Sequence, residues 1–232
     1  MAAAVGLAVE AHPVIGNYPA RRSRFSEREH AEIRTLIASI ERETTGEIVP
    51  MVAERSISVF HVRPMLFLFF ALGLTEMGPT LWHRFGITPF FGLELLLALG
   101  LGVSVGSIGT IQRLLTPAAE RERQVRDRAQ REFFRRRLER TTHRSGILIF
   151  VSLLEHQAVV IGDAAVAEKL PPGTWQSLLN ESLSVLAKKG LFAGLREMVL
   201  RSGHLLKTYL PEPAKGASPE PVGLPNDIIE LD

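Results

Sequence analysis

The sequence predicts an α+β fold in which a small mixed β-sheet is flanked by helices and interrupted by a hairpin of two transmembrane helices. Two apolar segments, residues 64–82 and 87–111, lie close together in mid-chain. Short β-rich runs occur before them at 47–53 and after them at 147–162. The chain is 46% hydrophobic and 22% charged, a mixture that indicates apolar residues gathered in blocks.

The two ends of the chain carry no periodic pattern. Residues 1–24 lack the basic start and the long apolar run of a secretion signal, so we predict a flexible tail. Residues 211–232 are predicted to be mostly disordered because their first part is rich in Pro, Gly, Ala and Ser. The last nine, LPNDIIELD, form a segment able to dock on the rest of the chain.

Residues 25–63 are predicted to be the first part of the α+β domain. Ser26 and Glu29 have the spacing of a capping box, and apolar residues then recur at helical spacing up to Ile40. A strand follows at 47–53. Pro50 has no N–H for a ladder, which favours an edge position or a bulge.

Residues 64–112 are predicted to be the membrane hairpin. A bilayer core of about 30 Å needs about 20 helical residues, and both segments reach that length. The alternative is a pair of helices buried in a soluble core. Glu94 is the only charged residue along 90–106, so the second segment lacks the polar face that a soluble amphipathic helix shows.

Each predicted span carries one glutamate. Glu76 and Glu94 lie equally far from a turn near Phe85, which predicts the same depth in the hairpin. Two close carboxylates at that depth would share a proton, because both cannot ionise cheaply. In the alternative interpretation both sit near the headgroups and reach water.

Positive charge is concentrated after the second span. Residues 113–144 contain eleven arginines against five acidic residues, in a chain whose net charge is +2. Nucleic acid is one partner for such a block, but its place beside an apolar segment favours anionic lipid. Arg113, Arg121 and Arg123 are the predicted headgroup contacts. For the two predicted spans in the cell (inner or plasma) membrane, the arginine excess predicts that both termini are cytoplasmic.

Residues 113–210 are predicted to complete the domain. A basic helix over 117–140 carries an apolar stripe and is expected to continue the second span outward. Residues 147–153 and 157–162 are apolar, β-rich runs separated by three residues, which indicates a strand hairpin. Two helices follow, with Gly190 between them. The stripe of the basic helix consists of Val125, Ala129, Phe133, Phe134 and Leu138.

Several sequence segments, taken in order, resemble the membrane-bound branch of the TPM-domain family. They are IERETTGEIV (40–49), RLLTP after the second span, the basic run RQVRDRAQREFFRRRLERT, and SGILIFVSLLEHQAVVIGD (145–163), with TW at 174–175 and LPND near the end. The resemblance implies a mixed sheet flanked by helices, split in sequence by the hairpin. It also implies roles that differ between members: photosystem repair, weak acid phosphatase activity with divalent ions, and receptor accessory functions.

This sequence departs from the family pattern at two places. Glu155-His156 stands where Glu-Arg is usual, and Asp163-Ala164-Ala165 stands where Asp-Gly-Ile is usual. Asp163 is expected either to cap the next helix or to join Glu47 and Glu155 in an oxygen-ligand site for Ca²⁺ or Mg²⁺. The chain has no cysteine, so thiolate metal sites are excluded.

Two functional hypotheses follow from the sequence. In the first, the chain is a non-catalytic membrane adaptor or assembly factor for other membrane proteins. In the second, it is a metal-dependent acid phosphatase at the membrane surface. The sequence contains no nucleophile elbow, P-loop or dinucleotide fingerprint, which favours the first. An ion path through Glu76 and Glu94 is a third hypothesis and requires a homo-oligomer.

Overall fold

The computed structural model describes residues 12–13, 24–56, 62–86, 91–141, 143–171, 173–211 and 226–231. The chain divides into two compact units. The sheet unit comprises Met1–Ser56 and Glu122–Asp232, and the hairpin unit comprises Ile57–Arg121. The sheet unit is an α+β fold, as predicted, and it is assembled from two stretches of sequence.

The described residues form five strands, eight α-helices and one short 3-10 turn. The strands are β1 (His12–Pro13), β2 (Glu47–Ala53), β3 (Gly146–Ser152), β4 (Gln157–Gly162) and β5 (Ile229–Leu231). The helices are α1 (Glu27–Glu41), α2 (Val62–Phe85), α3 (Phe91–Val105), α4 (Gly109–Leu115), α5 (Ala118–Arg135), α6 (Ala164–Lys169), α7 (Thr174–Lys189) and α8 (Leu191–Tyr209), and the 3-10 turn is Leu138–Arg140.

The sheet is mixed and has the order β1-β4-β3-β2-β5. β2 and β3 pair in parallel along their full length, from Glu47 opposite Gly146 to Ala53 opposite Ser152. β3 and β4 form the predicted antiparallel hairpin. β5 pairs in parallel with β2, and the two-residue β1 pairs with β4. Four strands therefore form the body of the sheet, with β1 extending one edge.

Helices cover both faces of the sheet, because alternate residues of β2, β3 and β4 are apolar on each side. One face holds Val49, Met51 and Phe150 against the stripe of α5. The other face holds Ile48, Val52 and their neighbours against α1, α7 and α8. Of the five residues in the predicted stripe, Val125, Ala129, Phe133 and Leu138 are buried and Phe134 is exposed.

The capping box of α1 is confirmed. The Glu29 backbone N–H donates to Ser26 Oγ (3.3 Å), and the Ser26 backbone N–H donates to Glu29 Oε2 (2.7 Å). These two bonds satisfy donors of the first turn that have no partner within the helix.

The predicted edge position of Pro50 is wrong for the strand as a whole, since β2 lies between β3 and β5. The N–H of Glu54 donates to Leu231 (2.9 Å), so even-numbered residues of this strand direct their N atoms towards β5. Pro50 is on that side, but pairing with β5 begins only at Met51. Proline is tolerated there because no ladder bond is required of it.

The last residues dock on the rest of the chain, as the sequence allowed, because 229–231 form β5. A polar cluster, which we call the latch, connects this segment to α1. His30 Nδ1 lies 2.6 Å from Asp227 Oδ1, and Arg34 donates to Asp227 Oδ2 (2.7 Å). Asn226 Nδ2 donates to Glu41 Oε2 (2.6 Å). Residues 212–225, and all of the predicted 1–24 tail except 12–13 and Arg24, lie outside the described residues.

In the hairpin unit, α2 and α3 pack as an antiparallel pair through two glycines. A Cβ on Gly102 would lie 2.8 Å from the backbone of Phe67, and a Cβ on Gly106 would lie 3.0 Å from Arg63 Cγ. Only glycine permits helix backbones to approach this closely. The two glycines form a G-x-x-x-G pattern, which in an apolar segment is a recognised signal for helix contact.

The predicted second span, 87–111, is not one continuous helix. α3 ends at Val105, and α4 starts at Gly109 after a bend of 92°. The buried Gln112 donates from Nε2 to the carbonyl of Gly106 (2.7 Å) and so stabilises the bend. The basic helix therefore does not extend the second span directly, because α4 and Pro117 separate α3 from α5.

Within the described ranges, no single helix combines the length and the apolar character expected of a membrane-crossing helix. α3 and α4 reach that standard only together, as the bent pair.

We expect Asp227→Asn to loosen β5 without unfolding the sheet. The change removes the anionic partner of His30 and Arg34, so the Glu54 amide, bonded to Leu231, should exchange with deuterium about tenfold faster. The Leu153 amide, bonded to Ala53 of β2 (3.0 Å), is the internal reference. Glu32→Gln breaks another α1 ion pair, with Arg196 (2.6 Å), and is the matched control.

Burial alone would lower the pKa of His30, but Asp227 and Glu230 raise it above its ordinary value. The stabilisation is therefore complete below the unfolded value near 6.5 and is lost as the pH rises through the folded value. Glu54 exchange should accelerate over that upper range. Equal acceleration at Leu153 would show that β5 is not released separately and would contradict the prediction.

Candidate functional site

One end of the sheet brings together two of the predicted site residues. β2 and β3 both begin at this end, and the antiparallel β4 finishes there. The Glu47 N–H donates to Ser145 (3.3 Å), and the Asp163 N–H donates to Gly146 (2.9 Å). Glu47 at the start of β2 and Asp163 just after β4 therefore flank the start of β3 on its two sides.

Asp163 is the N-cap of α6, as one of the two interpretations expected. Its Oδ1 accepts a bond from the Ala164 N–H (2.6 Å), and its side chain is only 2% exposed. Burial raises its pKa, while the Ala164 N–H and the Arg144 guanidinium partly offset that rise. Oδ2 has no hydrogen-bond partner among the described residues and lies 4.0 Å from Arg144 Nε.

Glu41 and Glu47 form a pair of partly buried carboxyls at this same end. Burial raises the pKa of Glu41 to about 7, against the opposing effect of hydrogen bonds from Ile48 and Asn226. Burial and the neighbouring charge of Glu41 raise the pKa of Glu47 to about 7. Glu41 could not be predicted from the sequence, because this residue ends a helix and its partner Asn226 comes from a distant segment.

Glu155 lies at the opposite end of the sheet, in the turn between β3 and β4. Its Oε2 accepts bonds from the Ser56 N–H (3.0 Å) and from the Ser152 hydroxyl. The Ser56 and Ser152 hydroxyls are 2.6 Å apart, and Glu155 is 1% exposed. This network fixes the end of β3 to the segment that follows β2.

The three carboxylates of the expected cation site are thus not brought together. A seven-residue strand is about 20 Å long, which is roughly the separation between the two ends. Over the part of the chain that the structure describes, no three His, Asp or Glu side chains are grouped closely enough to hold a metal ion.

In the hairpin unit, Glu76 and Glu94 are at nearly the same level. The close approaches pair residue 67 with 102 and residue 63 with 106, and this register places position 76 opposite position 93. Glu76 is exposed and Glu94 is half-buried. The levels agree with the sequence prediction, whereas a shared proton stays a prediction.

Two of the three predicted headgroup arginines line one cavity. Arg113 of α4 and Arg121 of α5 face a cavity of about 410 Å³ at the turn between these two helices, which we call the elbow cavity. Arg123 is exposed on α5 and does not line it.

A second cavity, of about 450 Å³, lies between α7 and α8. Its single arginine is paired with both of its glutamates: Arg201 Nε donates to Glu197 (2.7 Å), and the same guanidinium also bonds to Glu181. His204 and three leucines complete much of the wall.

Comparison with known proteins shows a likeness of structure. No protein-family model matches the chain, and no curated protein matches it. The NMR structure of the BA42 protein from the psychrophilic bacterium Bizionia argentinensis superposes with a TM-score of 0.53 at 17% identity. The match covers 90% of this chain and 97% of BA42. At that identity the likeness shows a shared α+β fold.

We expect the carboxyl pair to destabilise the fold as the pH rises. Both folded pKa values lie above the unfolded value of 4.5, so the folded state binds more protons between pH 4.5 and 7. The contribution of this pair to stability should therefore be greatest below pH 4.5 and fall by roughly 2 kcal/mol up to pH 7, after discounting for partial solvent screening.

Glu47→Gln should flatten this fall, as measured by urea unfolding at several pH values. Glu27→Gln, which changes an exposed carboxyl in the first turn of α1, is the control. A slope that persists in the Glu47 variant would show that burial of this pair does not set the pH dependence.

Proposed function

We propose that the protein is a membrane-anchored, non-catalytic adaptor whose hairpin unit inserts into a lipid bilayer and whose sheet unit binds another membrane protein. The observation that carries the proposal is the distribution of exposed apolar side chains. Thirteen of the fourteen large exposed hydrophobic residues in the described ranges belong to the hairpin unit, and Phe134 is the single exception.

These thirteen residues make the hairpin unit apolar on its outside. Phe69, for example, is 69% exposed, and Leu72 and Leu96 are each 66% exposed. Soluble monomers rarely expose contiguous apolar patches larger than a few hundred Å². Exposing such a surface to lipid acyl chains costs little free energy. The thirteen are Met65, Leu68, Phe69, Leu72, Met77, Leu93, Leu96, Leu97, Leu99, Leu101, Val103, Ile108 and Leu114.

The contact between α2 and α3 supports the same proposal. Gly102 and Gly106 are four residues apart and let α3 approach the backbone of α2. Helices in lipid gain little from burying leucine, because acyl chains are equally apolar. Close packing through small residues is the kind of association that remains effective there.

The pairing of β2 with β3 supports the proposed topology. The residues before and after the hairpin unit belong to one sheet, so both must be in the same compartment. Two crossings satisfy this requirement. The arginines that follow the second apolar segment favour the cytoplasmic side of the cell membrane, with both termini on that side.

The sheet unit supports an adaptor better than a phosphatase because two of the three candidate carboxylates have structural roles. Asp163 caps α6, and Glu155 holds Ser56 and Ser152 together. The resemblance to TPM domains is consistent with partner binding. The partner class that we propose is another membrane protein; a homo-oligomer would be needed for the hypothesis of an ion path at Glu76 and Glu94.

We expect Leu72→Arg combined with Leu96→Arg to abolish insertion. Each arginine near the middle of a membrane helix costs about 3 kcal/mol, so the pair should leave most of the protein unbound when vesicles of neutral phosphatidylcholine are floated. Phe134→Arg changes a comparably large exposed side chain of the sheet unit and should float like the unaltered protein.

Topology is checked separately by cysteine labelling, since the chain has no cysteine of its own. In cells, a cysteine at Arg84 should react from outside and a cysteine at Ser218 only after permeabilisation. Flotation unaffected by the double arginine change would refute insertion of these helices, and the opposite labelling pattern would refute the orientation.

We expect no metal-dependent hydrolysis of a generic phosphomonoester by the purified protein. The unaltered chain and Asp163→Asn, which keeps a capping oxygen, should give the same background rate with and without Mg²⁺ or Ca²⁺. Turnover that requires the ion and disappears in a correctly folded Asn variant would favour the phosphatase hypothesis over the adaptor.

A further inference from the structure

Hydrogen bonds fix the bend between α3 and α4 in the hairpin unit. α4 leaves α3 at 92°, and the buried Gln112 ties the far side of the bend to Gly106 (2.7 Å). Thr116, also buried, donates its hydroxyl to the carbonyl of Gln112 (2.8 Å) and ends α4. Hydrogen bonds at this bend and at the end of α4 therefore determine the position of α4.

In a bilayer, a right-angle bend directs α3 and α4 along different axes. If α3 runs across the membrane, α4 lies along its surface, which is the arrangement of interfacial helices. Leu114 of α4 is 83% exposed, and Ile108 just before the helix is also exposed. Arg113 lies next to Leu114 in sequence. Apolar side chains beside a cation are suited to the boundary between acyl chains and headgroups.

The residues that line the elbow cavity are suited to bind an anion. Its volume is about 410 Å³, and its wall includes Arg113, Arg121, Thr110 and Thr116, with Leu114 and Pro117. No carboxylate belongs to the described lining. Both arginines are partly exposed, and an anionic oxygen in the cavity would accept charge-assisted hydrogen bonds from their guanidinium groups.

We propose that this elbow cavity binds the phosphate group of an anionic phospholipid, with Arg113 and Arg121 as its principal ligands and the Thr110 hydroxyl as a further donor. Guanidinium groups bind phosphate through paired charge-assisted hydrogen bonds. The exposed Leu114 beside the cavity favours a lipid over free phosphate, because an acyl chain can cover it. The inference rests on the proposed membrane insertion and adds a specific lipid site to it.

The test uses the full chain in nanodiscs of neutral phosphatidylcholine, so that insertion itself requires no anionic lipid. Short-chain phosphatidic acid is titrated by calorimetry and should bind saturably with one site per chain. Arg113→Gln combined with Arg121→Gln should weaken binding about 30-fold, since each arginine near an anionic group contributes roughly a factor of five.

The matched control is Arg123→Gln combined with Arg131→Gln, which removes the same charge from exposed positions of α5 outside the cavity. It should weaken binding no more than about threefold. Thr110→Val, which leaves the charge unchanged, should weaken binding several-fold and guards against a folding defect in the arginine pair.

The outcomes separate the two proposals. A chain that does not enter neutral nanodiscs contradicts the membrane anchor. A chain that enters but binds phosphatidic acid weakly and without saturation, or loses affinity equally in both double variants, overturns the lipid site alone. Inorganic phosphate is titrated in parallel. Binding of inorganic phosphate with the same arginine dependence, and as tightly as the lipid, would overturn the lipid as the source of the anion.

Discussion

The parallel pairing of β2 with β3 is the constraint on which the rest of the structure depends. The two strands match over seven residues, yet Glu47 and its partner Gly146 are ninety-nine residues apart in sequence. All of the hairpin unit lies between them. α5 packs on the sheet face beside this pair and returns the chain to the start of β3, so the connection is a strand-helix-strand crossover with an insertion before its helix.

Local sequence signals predicted most of the individual elements. The capping box at Ser26 and Glu29 marks the start of α1, and the two β-rich runs around Glu155 form the β3–β4 hairpin. Each depends on residues close together in sequence, where propensity and periodicity act directly. β5 was harder to predict, because its three residues gain their stability from β2 and from the latch on α1.

The break in the second apolar segment has a different cause. Hydropathy does not distinguish a straight helix from a bent one, and the glycines near the bend are compatible with both. The bend depends on the side-chain amide of Gln112 bonding to the carbonyl of Gly106, six residues earlier. That bond is a property of the folded turn. The elbow cavity, which Arg113 and Arg121 both line, could not be predicted from the sequence either, because it depends on how α5 follows α4 in the folded chain.

The candidate carboxylates show the same division between local and distant information. The capping role of Asp163 was among the interpretations open from the sequence, because a cap involves only the next residues. The separation of Glu155 from Glu47 follows from the strand directions: β3 begins beside Glu47 and ends beside Glu155. The pair Glu41 and Glu47 required knowledge of burial, which raises both pKa values.

The long separation between β2 and β3 also imposes an order of events on biosynthesis. The β2 segment leaves the ribosome well before its partner has been translated, and during that interval the hairpin unit is made. Until β3 arrives, the backbone donors and acceptors of this apolar segment bond to water and are open to pairing with other chains. The ninety-nine residues between Glu47 and Gly146 therefore set how long β2 stays without its β3 partner during synthesis.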